Sequence, residues 1–153
     1  MVWTLTSSAF KEGDMIPKKY TCQGPDVSPD LSWGASPNGT QSIALIMDDP
    51  DAPVGTWVHW VIFNISPNNT SLPEGVPTDA ELKIGAIQGR NDFRKFGYGG
   101  PCPPHGLAHQ YRFTIYALDK SLDLNPGASK KQLIDAIKGH ILAQGQLIGT
   151  YQR

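Results

Sequence analysis

Apolar positions in this chain come in short runs broken by turns. One run alternates: from Tyr111 to Leu118, Tyr111, Phe113 and Ile115 face one way while Arg112, Thr114 and Tyr116 face the other. That is the period-two pattern of a β-strand. Two denser runs, Ser42–Met47 and Trp57–Ile65, also read as strands, and shorter candidates lie at Trp3–Thr6, Leu31–Trp33, Lys83–Gln88 and Gln146–Tyr151. One segment reads as helix. Ser129 caps it and Gln132, three residues on, completes a capping box; Leu133, Ile137 and Ile141, with Ile134 beside them, then form one apolar face. Pro126-Gly127 blocks an earlier start, and Gly139 weakens the last turn. Ser66–Ala80, rich in Asn, Pro, Thr and Ser, reads as a long loop. Its neighbourhood holds two glycosylation-type triplets, at Asn64 and Asn69, which are read as chance matches in a polar region.

Composition agrees with a turn-rich β protein: 16 Gly and 13 Pro in 153 residues leave room for few helices. A chain of this length is read as one domain, residues 1–153, able to build a core without a metal or disulfide. A formal net charge of −1, with no basic stripe, argues against nucleic acid and anionic membrane surfaces as partners. No apolar stretch approaches the roughly 18 residues of a spanning helix. The N-terminal residues carry no secretion pattern, so the expectation is a cytoplasmic protein. The two cysteines, Cys22 and Cys102, both lie in Gly/Pro-rich loops. Two readings stay open for them: free thiols, as cytosolic chemistry favours, or a Cys22–Cys102 disulfide tying two loops together.

The chemistry concentrates in two segments. Asp48, Asp49 and Asp51 close the first strand-like run, with Pro50 and Pro53 forcing turn geometry, and His59 follows inside an aromatic run. Asp48 is read as an acceptor for loop N–H groups, and Asp49 as a pocket residue. His59 is either a satisfied core histidine or, with Asp49 or Asp51 as partner, a donor for an anion. In the second segment His109 and Tyr111, two apart on a strand, face the same side. Gly99-Gly100 there permits close backbone approach and could offer N–H groups to an anion. If the two turns meet, they enclose a small polar pocket. Two histidines and two or three acids could hold a metal or hydrolyse an ester. But the pattern contains no HExxH or GxSxG and no serine with an evident imidazole partner, so a metal-dependent or phosphoester hydrolase is the lesser alternative to a non-catalytic protein without metal or cofactor.

The run Asp49-Pro50-Asp51-Ala52-Pro53 with Trp57-Val58-His59-Trp60 resembles the first signature of the phosphatidylethanolamine-binding proteins, also called Raf kinase inhibitor-like proteins. Gly100-Pro101-Cys102-Pro103-Pro104, with Gly106, His109 and Tyr111, resembles the second. The cysteine, the closing Tyr116-Ala117-Leu118-Asp119, Tyr20–Gly24 and Val27–Trp33 look like the short bacterial and archaeal branch. The resemblance implies a mainly β fold: a two-sheet antiparallel Greek-key sandwich with one or two peripheral helices. It implies a surface cavity for a small anion or phosphoryl ligand, lined by Asp49, His59, Gly100 (through its N–H), His109 and Tyr111, with Asp51 bracing from behind and Pro103 in the wall. It implies a non-catalytic regulatory protein, an inhibitor of serine proteases before a phospholipid head-group binder or kinase modulator, with a homodimer among its assemblies. Ser66–Ala80 and Asn91–Lys95 are the expected protease contacts. Several features differ from many eukaryotic members: Val58 where those have a second histidine, the three-residue link Val54-Gly55-Thr56, Gln110 in place of an arginine, and no gating helix beyond Tyr151-Gln152-Arg153. A more open pocket is expected.

Overall fold

The structure, a computed structural model, describes residues 3–153. Strand β1 is Leu31–Ser32, β2 Ser42–Asp49, β3 Trp57–Ile65, β4 Ser71–Leu72, β5 Ile87–Gln88, β6 His109–Leu118 and β7 Ile141–Tyr151; α1, the one α-helix among the described residues, is Lys130–Ile137. Five strands form one antiparallel sheet in the order β5-β3-β2-β6-β7, and β1 pairs with β4 in a second. From β5 the chain returns to the far side of β2 to lay down β6, a long return of the kind that makes a Greek key.

The central strand β2 is buried along its whole length because both faces of the large sheet are covered. On one face Ile43, Leu45 and Met47 join Trp60, Ile62, Phe113 and Ile115, under a cover that includes Trp3, Leu31, Trp33 and Leu72 from the small-sheet side. On the other, Ala44 and Ile46 join Val61 and Phe63 against Leu133 and Ile137 of α1. The side-chain alternation of β2 thus divides one apolar run between two cores.

Five expectations shift. The capping box of Ser129 and Gln132 forms, but α1 stops at Ile137 because Gly139 takes a left-handed φ of 79°. Ile141 then opens β7, which runs eleven residues where only the last six were expected. The Lys83–Gln88 strand shrinks to Ile87–Gln88, with Gly85 turning at φ 94°. Trp3–Thr6 contributes a single bridge, Thr6 to Ser32. The Ser66–Ala80 segment is tied down: it contains β4, buries Leu72 and Val76, and donates the N–H of Val76 to Ser28 Oγ at 2.9 Å. Asn64 bonds both the N–H and the carbonyl of Leu122 through its amide, so it serves as a structural clasp.

Candidate functional site

Antiparallel pairing brings the end of β2 beside the starts of β3 and β6: Asp49 pairs with Trp57, and Asp48 with Arg112. The two chemical segments therefore meet at one end of the central strands of the large sheet. There they line a cavity of about 220 Å³ that includes Asp49, Trp57, His59, Phe93, His109 and Tyr111.

Asp49, only 3% exposed, organises the cavity. Its Oδ1 accepts the Asp51 N–H at 2.7 Å, the local carboxylate–backbone bond that a proline-flanked turn favours. Its Oδ2 accepts from His109 Nδ1 at 2.7 Å. Asp51 is exposed and accepts the Gln110 N–H at 2.8 Å, so it braces the start of β6 from behind the cavity. His59 is paired with neither acid. Its Nδ1–H donates to the Gly99 carbonyl at 2.6 Å, and its ring stands edge-to-face against Phe93 and Tyr111. Since a carbonyl and a carboxylate only accept, both imidazoles carry the Nδ1 proton and leave Nε2 for another partner. Burial lowers the His59 pKa, against the opposing pull of the Gly99 bond and the Asp49 charge, so His59 is neutral at neutral pH.

The Tyr111 ring is fully buried, and its hydroxyl lies near the Asp49 carboxylate without a well-formed hydrogen bond; the indole N–H of Trp57 has no partner. Burial first, then the charge of Asp49, raises the Tyr111 pKa, so the phenol stays protonated. Unpaired buried donors are rare and ordinarily mark a place filled by water or a ligand.

Two residues from the sequence reading lie elsewhere. The Gly100 N–H donates to Asp26 Oδ1 at 2.8 Å, and Gly100 is absent from this cavity's lining. Its lack of a side chain is explained by packing: a Cβ there would collide with the Tyr20 carbonyl and the Asp26 carboxylate. Pro103 is buried behind the wall, its carbonyl accepting from Arg153 Nε at 2.5 Å, and Pro104 supplies the lining. Cys22 and Cys102 are disulfide-bonded with Cα atoms 5.4 Å apart, and Cys102 borders the cavity. Asp48 accepts from Arg112 and Lys130 rather than from loop N–H groups.

Phe93 was missed as a site residue. The Asn91 side chain shapes its turn, accepting from the N–H groups of Phe93 and Lys95 and donating to Gly97 O at 2.9 Å. Asparagine in a short polar turn is a sequence signal for that turn, but nothing local says which cavity the turn will border.

Fold and site together define an antiparallel β-sandwich protein with a two-histidine cavity at the ends of its central strands. Comparison with known proteins gives the same answer independently. The phosphatidylethanolamine-binding protein family matches residues 6–152. A UPF0098 protein of Methanothermobacter thermautotrophicus is 52% identical over 149 residues, covering 97% of this chain and 98% of its own. The crystal structure of a phosphatidylethanolamine-binding protein homologue, CT736 of Chlamydia trachomatis, superposes with a TM-score of 0.90 at 43% identity, covering 99% and 98% of the two chains. Escherichia coli YbcL, described as a member of the mammalian family, reaches 0.92 at 32% identity over 100% and 99%. The chain belongs to the phosphatidylethanolamine-binding protein family, in its bacterial and archaeal branch. Among the described residues no helix is long and apolar enough to cross a membrane.

Proposed function

We propose that this protein binds a phosphoryl-type anion in the two-histidine cavity and acts through binding rather than catalysis. The carrying observation is the pair of unpartnered buried donors on the lining, Tyr111 Oη–H and Trp57 Nε1–H, beside two imidazoles whose Nε2 atoms remain available. A compact anion would accept from the phenol and the indole, and from an Nε2 only when that atom carries a proton. No serine or threonine is among the lining residues, and Cys102, their one sulfur, is held in a disulfide, so the cavity offers no hydroxyl or thiol of the kind that Ser-, Thr- or Cys-based acyl transfer uses. The test is calorimetry with inorganic phosphate. His59→Ala and Tyr111→Phe should each weaken binding by about 1.5–3 kcal/mol, because each removes a hydrogen bond to the charged anion, the histidine's loss showing at a pH low enough to protonate Nε2. Unchanged affinity in both variants would sink the assignment.

Protease inhibition is a second reading, and one loop favours it. Leu107 is 86% exposed, in the loop between the lining residues Pro104 and His109. Its loop is clamped by Gln152, which donates to the Gly106 carbonyl, and by Arg153, which donates to Pro103 O. A rigid loop displaying one apolar side chain suits a protease specificity pocket at low entropic cost. This moves the expected contact away from Ser66–Ala80, which is bound into the small sheet. Stoichiometric titration of a chymotrypsin-like protease should show inhibition that Leu107→Asp removes; full protease activity at micromolar protein would end the idea. The Cys22–Cys102 bond favours a compartment that is not strongly reducing over the expected cytoplasmic one, except in a hyperthermophile.

A further inference from the structure

A larger cavity of about 640 Å³ adjoins the two-histidine cavity, and Phe93 and Cys102 line both. The shared wall is firmly built. A Cβ on Gly99 would lie 2.6 Å from the Phe93 ring, so the ring rests directly on glycine backbone. Phe93 also stands edge-to-face against Trp57 and His59, with centroids 5.6 and 5.3 Å away. Although 36% exposed, it is held in place at the boundary between the two spaces.

Size and lining give the two cavities different tasks. The smaller holds the unpartnered donors and suits a group of phosphate size. The larger falls within the range of organic-ligand sites, roughly 300–1,000 Å³. Phe93, Phe96 and Tyr98 give it three aromatic side chains. Two charges flank them. Asp26, held at φ 59°, gives Oδ1 to the Gly100 N–H, and Lys95 forms no ion pair among the described residues. Lys95 adds attraction for a phosphoryl group across the shared wall, whereas Asp26 disfavours a second anionic group on the body of the ligand.

Building on the anion reading, we propose that the larger cavity receives the organic body of a phosphate ester whose phosphoryl group occupies the smaller one. An aromatic body without further negative charge fits best. The ligand crosses Phe93, so head and body are recognised in separate compartments.

Calorimetry on the intact, disulfide-bonded protein with three probes tests this. Phenyl phosphate should bind about tenfold or more tightly than inorganic phosphate, the order expected from burying part of an apolar ring. Phosphoethanolamine, whose body lacks a ring, should stay near inorganic phosphate. Thr78 is exposed and lines only the larger cavity, so Thr78→Trp should fill that space and abolish the gain while leaving inorganic phosphate affinity unchanged. Phe96→Ala, also confined to the larger cavity, should reduce the gain by removing one wall. If inorganic phosphate binds but phenyl phosphate is no tighter, or if phosphoethanolamine matches phenyl phosphate, the second compartment is refuted and the anion reading stands. A gain that survives both variants also refutes it, since the body then lies elsewhere. If neither phosphate nor phenyl phosphate binds, the anion reading itself falls.

Discussion

At the scale of single residues, protonation of His59 decides how the cavity meets an anion. Its Nδ1–H is committed to Gly99 O, and burial keeps the ring neutral, so Nε2 presents a lone pair that an anion would repel. Donation from His59 to an anion therefore requires a proton on Nε2. The free-state pKa lies below the ordinary histidine value, and a bound anion would raise it. Affinity should thus increase as pH falls through the window between the two, with proton uptake on binding. Phosphate calorimetry in buffers of different ionisation enthalpy measures that uptake, and an uptake that persists in His59→Gln would assign it to another group. The same shift acts on folding. The unfolded chain protonates this histidine more readily, so its contribution to stability is complete above about pH 6.5, the unfolded value. That contribution declines as pH falls below it. Asp49, His59, His109 and Tyr111 were legible in the sequence because strand period and proline-bounded turns fix where such side chains point. The partnerships were not: Asp49 with His109 and Gly100 with Asp26 join residues 60 and 74 positions apart.

At the scale of elements, Asp48 connects the sheet to the helix. It lies opposite Arg112 on β6, which grips it through Nε at 2.8 Å and Nη2 at 3.1 Å, while Lys130 reaches it from the first turn of α1 at 2.7 Å. A cation at a helix N-terminus opposes the macrodipole; the Asp48 carboxylate offsets that charge and holds α1 against Leu133's side of the sheet. Burial would raise the Asp48 pKa, but the Arg112 and Lys130 bonds outweigh it and the net shift is downward. Its stabilisation is therefore complete above the unfolded carboxyl value, about pH 3.9, and is lost as pH falls through the folded one. Asp48→Asn should cost about 1.5–3 kcal/mol in denaturant unfolding near neutral pH, with the half-exposed cations partly resolvated. Adding Lys130→Met should recover part of that loss; a strictly additive double variant would mean the pair is not coupled. The helix start was readable from Ser129 and Gln132, and the ladder strands from their period. The end of α1 and the true start of β7 were not, because Ile141 continues the helical spacing while Gly139 turns the backbone away.

At the scale of the whole molecule, two loops 80 residues apart in sequence are fastened by Cys22–Cys102 next to both cavities. Cross-linking a loop of this length restricts the unfolded chain and is worth about 2–4 kcal/mol, so Cys22→Ser/Cys102→Ser should lower the melting temperature by roughly 5–15 °C. A scanning calorimetry trace that matches the native protein would contradict that role. The bond also fixes Cys102 at the shared wall, so the double variant should loosen ligand binding along with the fold. From sequence alone, short strand-like runs between turns suggest a sandwich or a barrel, and only the resemblance to a known family chose between them, since periodicity names strands but not their order. The covering of β2 on both faces depends on which distant residues supply each layer. The central claim, that an anion sits among Tyr111, His59 and His109, is tested most directly by a crystal soaked in phosphate. The account predicts tetrahedral density in the smaller cavity within hydrogen-bond distance of Tyr111 Oη and the Nε2 atoms of both histidines. A soak at saturating phosphate that leaves only water there would contradict it.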